Sequence, residues 1–174
     1  YKRVSNPSDV FPDRIVNLSR YLSSILGYKI YSYWVFIYIS NREYIMKTSL
    51  VTGGAGFIGS HMVDLLLSKK YKVHVIDNFS GGHKKNLRHH YNNSQLILEK
   101  IDICKLKTNN KLFKNADYVF HFAGIGDIVP SIENPANYMK TNVQGTIKVL
   151  EASRYAKVKK FIYAASASCY GLTK

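Results

Sequence analysis

The sequence predicts an α/β protein, a doubly wound parallel sheet truncated after about its fifth strand and preceded by an unrelated N-terminal extension. Three observations carry this. From residue 46 onward, short apolar runs recur with amphipathic segments between them. The first run, Leu50-Val51, leads straight into glycines at 53, 56 and 59, spaced G-x-x-G-x-x-G, and then into an amphipathic segment. A second apolar run, Lys72 to Ile76, ends on Asp77, 18 residues past Gly59. The order strand, glycine turn, helix, strand, acid suits a dinucleotide. The turn lets backbone approach a pyrophosphate, the helix N-terminus offers unpaired N–H groups, and the acid accepts hydrogen bonds from ribose hydroxyls.

Each element follows from local pattern. Residues 48–52 form the first strand, and Phe57 to Lys69 a helix with Ile58, Met62, Leu65 and Leu66 at helical spacing. Lys72 to Ile76 form the second strand, Lys84 to Tyr91 a short helix in a polar stretch, and Gln95 to Lys100 the third strand. A charged helix is expected around Thr108 to Phe113. Tyr118 to Phe122 is nearly all apolar, as a buried parallel strand should be. Pro130 and Pro135 bracket a loop, Tyr138 to Tyr155 is a long helix carrying Val143, Ile147, Val149 and Leu150, and Phe161 to Ala165 is the fifth strand. The alternation implies right-handed crossovers with helices on both faces.

Residues 1–45 differ from the rest of the chain. They hold seven of the 14 tyrosines and the single tryptophan, Trp34. The stretch 21–39 approaches membrane-spanning length, but Lys29 interrupts it. The segment is read first as an upstream extension of unknown role, a fusion remnant or translated non-coding sequence, with a membrane anchor at 21–39 as the alternative, and Met46 as a natural start for the domain 46–174. Over the whole chain, 46% hydrophobic and 21% charged residues among 174 indicate a globular protein. Cys104 and Cys169 show no metal spacing and read as buried thiols of a reducing compartment. No metal site is expected. The net charge of +14 comes from scattered Lys and Arg flanking the periodic segments, which favours a solvated face over nucleic-acid binding.

In open α/β sheets, ligands bind beyond the carboxyl ends of the strands. Those positions hold the glycines, then Asp77 and Asn78, then Asp102, then Ala123 and Gly124, then Ser166 and Ser168. A carboxylate at Asp77 repels a 2′-phosphate, which favours NAD over NADP. Asp102 serves equally well as a turn residue. His121, inside an apolar strand, reads as a packed core histidine. Asn142 falls on a helix, either exposed or cross-linking strand ends. Ser166 and Ser168 are either loop hydroxyls or reactive groups.

The pieces TGGAGFIGS (52–60), DNFSGG (77–82), DI (102–103), HFAG (121–124), VPSIENP (129–135), NVQGT (142–146) and FIYAASASCYG (161–171) stand in one order within the 129 residues 46–174. In that order they resemble the extended short-chain dehydrogenase/reductases, and among them the NAD-dependent nucleotide-sugar epimerases and dehydratases. The resemblance implies a Rossmann domain. Gly53, Gly56, Phe57 and Ile58 would line the pyrophosphate, Asp77 and Asn78 would hold the ribose, and Asp102 and Ile103 would frame the adenine. Phe122, Ala123 and Gly124 would lie along the middle of NAD, with Asn142 supporting the strand ends. Ser166, with Ser168 as second choice, resembles the catalytic Ser/Thr that hydrogen-bonds the sugar hydroxyl.

That family's base is a Tyr in Tyr-x-x-x-Lys. No Tyr-x-x-x-Lys is read after Ser166, and Tyr170 belongs to the strand-end motif and is not read as that base. The resemblance therefore implies an N-terminal, NAD-binding fragment without turnover of its own. The Ser-Ala-Ser pattern resembles 4-epimerases, which invert C4 of a UDP-sugar through transient oxidation to a 4-keto sugar. A dehydratase or reductase of the same superfamily and a non-catalytic dinucleotide-binding module are the alternatives. A cytoplasmic location, a UDP-sugar partner and a homodimeric full-length relative are further implications.

Overall fold

Five parallel strands pair in the order β3-β2-β1-β4-β5, in a computed structural model that describes residues 46–166. The expectations for residues 1–45, for Ser168 and for Cys169 lie outside the described residues, and Cys104, expected to be buried, is only half-buried. β1 (Thr48–Thr52) is central, pairing Val51 with Val75 of β2 (Lys72–Asp77) and with Phe120 of β4 (Tyr118–His121). β3 (Leu96–Lys100) pairs beyond β2, and β5 (Lys160–Tyr163) beyond β4. The chain builds outward from β1 one way, then returns to its other side. The sheet's switch point therefore lies between β1 and β4, where a crevice opens in such folds.

Strand side chains alternate between faces, and β1 shows the consequence. Leu50 packs with Ile76, Ile103, Phe113, Val119 and Val149 on one face, whereas Val51 packs with Val63, Leu66, Leu67, Val73 and Val75 on the other. The second layer comes from α1 (Phe57–Ser68), and the first is closed by α4 (Thr146–Tyr155). The doubly wound α/β expectation holds. Asp117 ties the amino ends of the strands together: one carboxylate oxygen accepts from Thr48 N (2.9 Å) and the other lies 2.6 Å from Lys159 Nζ. Among the described residues, no helix is long and apolar enough to cross a membrane.

Local detail departs from expectation where apolar pattern and burial part company. In α1 the buried stripe is Gly59, Val63, Leu66 and Leu67, while Ile58 and Leu65 stay exposed. In α4 Val149 is buried, but Ile147 and Leu150 are not. The charged helix at 108–113 shrinks to one 3-10 turn, Lys111–Phe113, capped by Asn110 through Leu112 N. Lys84–His90 is likewise a 3-10 segment. The expected proline-bracketed loop is instead two short helices, α2 (Ile128–Glu133) and α3 (Pro135–Tyr138). Each proline lies in a first turn, where its missing N–H has no intrahelical partner to lose. The expected long helix breaks into α3, a π-helical turn at Met139–Gly145, and α4.

Candidate functional site at the carboxyl ends of the strands

Gly53 leaves β1 with φ +67°, a conformation other residues rarely adopt, and its N–H donates to Ile76 O at 2.9 Å. A Cβ there would lie 2.7 Å from Ala123 N and 2.9 Å from the Phe122 carbonyl carbon. The turn after β1 thus rests directly on the chain leaving β4. A Cβ on Gly59 would overlap the Gly53 carbonyl, so the first turn of α1 also sits against this turn. Gly56 is the N-cap and offers no side chain, and the first turn of α1 carries no acid. Its opening N–H groups are left for an outside acceptor. Phe57 and Ile58 are 80% and 62% exposed beside them.

Asp77, the last residue of β2, is buried and faces this turn. One carboxylate oxygen accepts from Ala55 N (2.9 Å), the other from Phe79 N (2.7 Å). An ionised carboxylate has about four lone-pair sites, so two bonds leave capacity for hydroxyl donors. The loop after β2 is fastened to the glycine turn as well. Ala55 O accepts from His83 N at 3.0 Å and from Asn86 Nδ2 at 2.8 Å, and a Cβ on Gly82 would lie 2.9 Å from an Asp77 oxygen. The glycine turn, Asp77 and the loop 78–86 form one interlocked surface. These are groups that suit an adenosine diphosphate: backbone N–H at an uncapped helix, a glycine turn so close-packed that a Cβ at 53 or 59 would strike backbone, and a carboxylate beside it.

The other predicted residues are placed less uniformly. Asn78 is exposed, its side-chain oxygen occupied by Ser80 N (3.0 Å) and Ser80 Oγ (2.8 Å). Asp102 caps a 3-10 turn (Ile103–Lys105) through Cys104 N at 2.9 Å. The Ile103 side chain is buried in the core, where a Cβ on Gly145 would come within 2.6 Å of it, so only its main chain is available to a ligand. Phe122 and Ala123 are half-buried and Gly124 is exposed. Ser166 is exposed three residues past β5, at the same edge of the sheet.

Asn142 sits in the π-helical turn and pairs with the chain beyond β4 through both ends of its amide. Its oxygen accepts from Ile125 N (2.8 Å), and its nitrogen donates to Ile125 O (2.9 Å). Asn142→Ala leaves both Ile125 groups without this partner. A loss of about 1–3 kcal/mol is expected in urea unfolding. Asn142→Asp should fare no better, since a carboxylate oxygen would then face the Ile125 carbonyl.

His121 is buried as expected, but it is not inert packing. Thr52 Oγ1 lies 2.5 Å from His121 Nδ1, and His121 Nε2 lies 2.9 Å from Thr146 Oγ1. Thr52 Oγ1 accepts from Ala123 N (3.2 Å), and Thr146 Oγ1 donates to Asn142 O (2.7 Å). Thr146 has one hydroxyl proton and it goes to Asn142, so His121 must donate from Nε2 and accept at Nδ1. A neutral imidazole satisfies every partner. Burial pushes the imidazole down to about 4 from its ordinary 6.5. His74 shifts the same way, also through burial. The unfolded chain therefore binds more protons between pH 6.5 and 4, and stability is full above that window and lost as pH falls through it. The His121 share is on the order of 3 kcal/mol, read as thermal melts at pH 7, 5.5 and 4. A hydrophobic replacement that still folds should flatten the profile.

The sequence alone did not bring out this chain of hydrogen bonds, although Thr52 and His121 are register partners on neighbouring strands. Nor did it bring out Asp64, which meets His89 and His90 across 25 and 26 residues. Adjacent histidines in a polar stretch were its only trace.

Residues 49–174 match the NAD dependent epimerase/dehydratase family. The chain is 40% identical over 129 residues to the bifunctional protein GAL10 of Kluyveromyces lactis, covering 72% of this chain and 19% of that protein. A UDP-N-acetylglucosamine 4-epimerase from Methanobrevibacter ruminantium, solved with UDP-N-acetylmuramic acid, superposes with a TM-score of 0.67 at 37% identity, over 72% of this chain and 40% of that one. The UDP-glucose 4-epimerase of Brucella ovis, solved with NAD, gives a TM-score of 0.65 at 34% identity, over 74% and 38%. The chain thus spans between one fifth and two fifths of the length of these proteins. With its parallel sheet, glycine turn and strand-end acid, it belongs to the NAD dependent epimerase/dehydratase family.

Proposed function

We propose that residues 46–174 are the NAD-binding part of a UDP-sugar 4-epimerase, with NAD as the acceptor and donor of hydride. The observation that carries this reading is the contact between Asp77 and the glycine turn, through Ala55 N at 2.9 Å. Gly53, Gly56 and the opening N–H groups of α1 would hold the pyrophosphate, and Phe57 and Ile58 would flank it. Asp77, with the amide nitrogen of Asn78, would take the ribose hydroxyls. Asp102 and the Ile103 main chain would meet the adenine, and Phe122, Ala123 and Gly124 would line the middle of the dinucleotide. Asn142 positions that last strand end. Ser166 would hydrogen-bond the C4 hydroxyl of the sugar. NAD should bind at least ten-fold more tightly than NADP, because a 2′-phosphate would approach the Asp77 carboxylate. Equal affinities in a calorimetric titration would count against the assignment.

Epimerisation also needs a base for that hydroxyl. Tyr170 and Lys174 do have the Tyr-x-x-x-Lys spacing, but Gly171 follows Tyr170 directly and Tyr170 falls in the strand-end motif 161–171. We therefore expect no steady turnover of UDP-glucose by the 174-residue chain. Joined to the C-terminal remainder of a related 4-epimerase, it should convert UDP-glucose to UDP-galactose, and Ser166→Ala should remove most of that rate. A 4-keto-6-deoxy product would favour a dehydratase instead.

A further inference from the structure

We propose that Asp64, His89 and His90 form a binding site for a divalent transition-metal ion of the zinc type. Asp64 projects from the middle of α1, and the two histidines close the 3-10 segment Lys84–His90. His89 Nε2 and His90 Nε2 lie 2.9 and 2.7 Å from the same Asp64 oxygen. The three donor atoms all fall within 4.8 Å of one another. The two rings tilt together with centroids 4.1 Å apart. Two neutral imidazole nitrogens and one carboxylate oxygen are the donor set that suits zinc, nickel or copper, whereas magnesium and calcium prefer oxygen alone.

Zinc–nitrogen and zinc–oxygen bonds of about 2.0–2.2 Å on a tetrahedron place donors about 3.3 Å apart, so the two separations from Asp64 open by about half an ångström and the one between the histidines, within 4.8 Å, closes toward the same value. Side-chain rotation supplies that at a half-exposed site: His89 and Asp64 are 53% and 43% exposed at the side chain, and His90 18%. Water would take the fourth position. An aspartate carboxylate is anionic at neutral pH and can serve as the oxygen ligand. Lys84, Lys85 and Arg88 on the same segment oppose a cation, so the three donors must provide the affinity.

The site would pin the loop after β2 to α1. Asn86 of that loop holds the Ala55 carbonyl of the glycine turn. Metal binding would thus stiffen the surface that faces the dinucleotide, without depending on any dinucleotide being bound.

Titration of the full chain with zinc chloride should show one saturable site, and cobalt(II) substituted for zinc should give the visible absorption of a four-coordinate ion. Asp64→Asn and His89→Ala should each weaken binding at least about ten-fold, the smallest cost expected for a ligand given that losing its outer-shell partner alone costs 10–100-fold. Both positions are exposed enough to keep the fold, which circular dichroism checks. His61→Ala, one turn away on α1, should leave the affinity unchanged. No binding at millimolar zinc, binding unaltered in Asp64→Asn or in His89→Ala, or an equal loss in His61→Ala would each overturn the proposal.

Discussion

Gly53→Ala is expected to destabilise the domain by about 3 kcal/mol or more and to abolish NAD binding. A left-handed backbone costs an alanine about 1–2 kcal/mol, and overpacking adds about 1–3 kcal/mol. Here the overlap is with backbone, the Ala123 N at 2.7 Å, and no side chain can swing aside to relieve it. The turn would lift from the chain leaving β4, and with it the N–H groups at the start of α1. Urea unfolding measures the first effect. Gly81→Ala is the control, because nothing lies within 4 Å of a Cβ there. It should change neither stability nor nucleotide affinity measurably.

Asp77→Ala should have the second-largest effect, with two separable parts. The buried carboxylate accepts from Ala55 N and Phe79 N, and its removal strands both donors at about 1–3 kcal/mol each. Asp77→Asn keeps one acceptor but turns an amide N–H toward the other donor, so part of that loss should persist. The second part is affinity. If the carboxylate also takes the ribose hydroxyls, Asp77→Asn measured well below its melting temperature should bind NAD at least ten-fold more weakly. It should also lose most of its discrimination against NADP.

How much of this was legible in the sequence depends on whether a residue's role is local. Gly53, Gly59 and Asp77 could be picked out because strand, turn and acid follow one another within 30 residues, and each role is set by the local backbone. The strand core was legible for the same reason, since a parallel strand covered on both faces must be apolar throughout. Helix faces were not. Ile58, Leu65, Ile147 and Leu150 fit a helical period yet stay exposed, because periodicity gives spacing but not which stripe meets the sheet. The prolines at 130 and 135 misled because proline ends a helix and also starts one. Asn142, His121 and Asp64 depend on partners 17 to 69 residues away, which only the register of the sheet and the docking of its helices bring together. Ile103 shows the converse. Its place in the motif suggested a ligand contact, and the fold leaves that to its main chain because the side chain packs in the core.

In the proposed function the glycine turn and Asp77 grip one adenosine diphosphate. Calorimetric titration of the 174-residue chain with ADP-ribose tests it most directly, since that molecule is the half of NAD these groups would hold. The expected result is a weak, saturable one-to-one isotherm that Asp77→Asn displaces to higher concentration. An absence of binding at millimolar ADP-ribose, or an isotherm that a folded Asp77→Asn leaves in place, would contradict it.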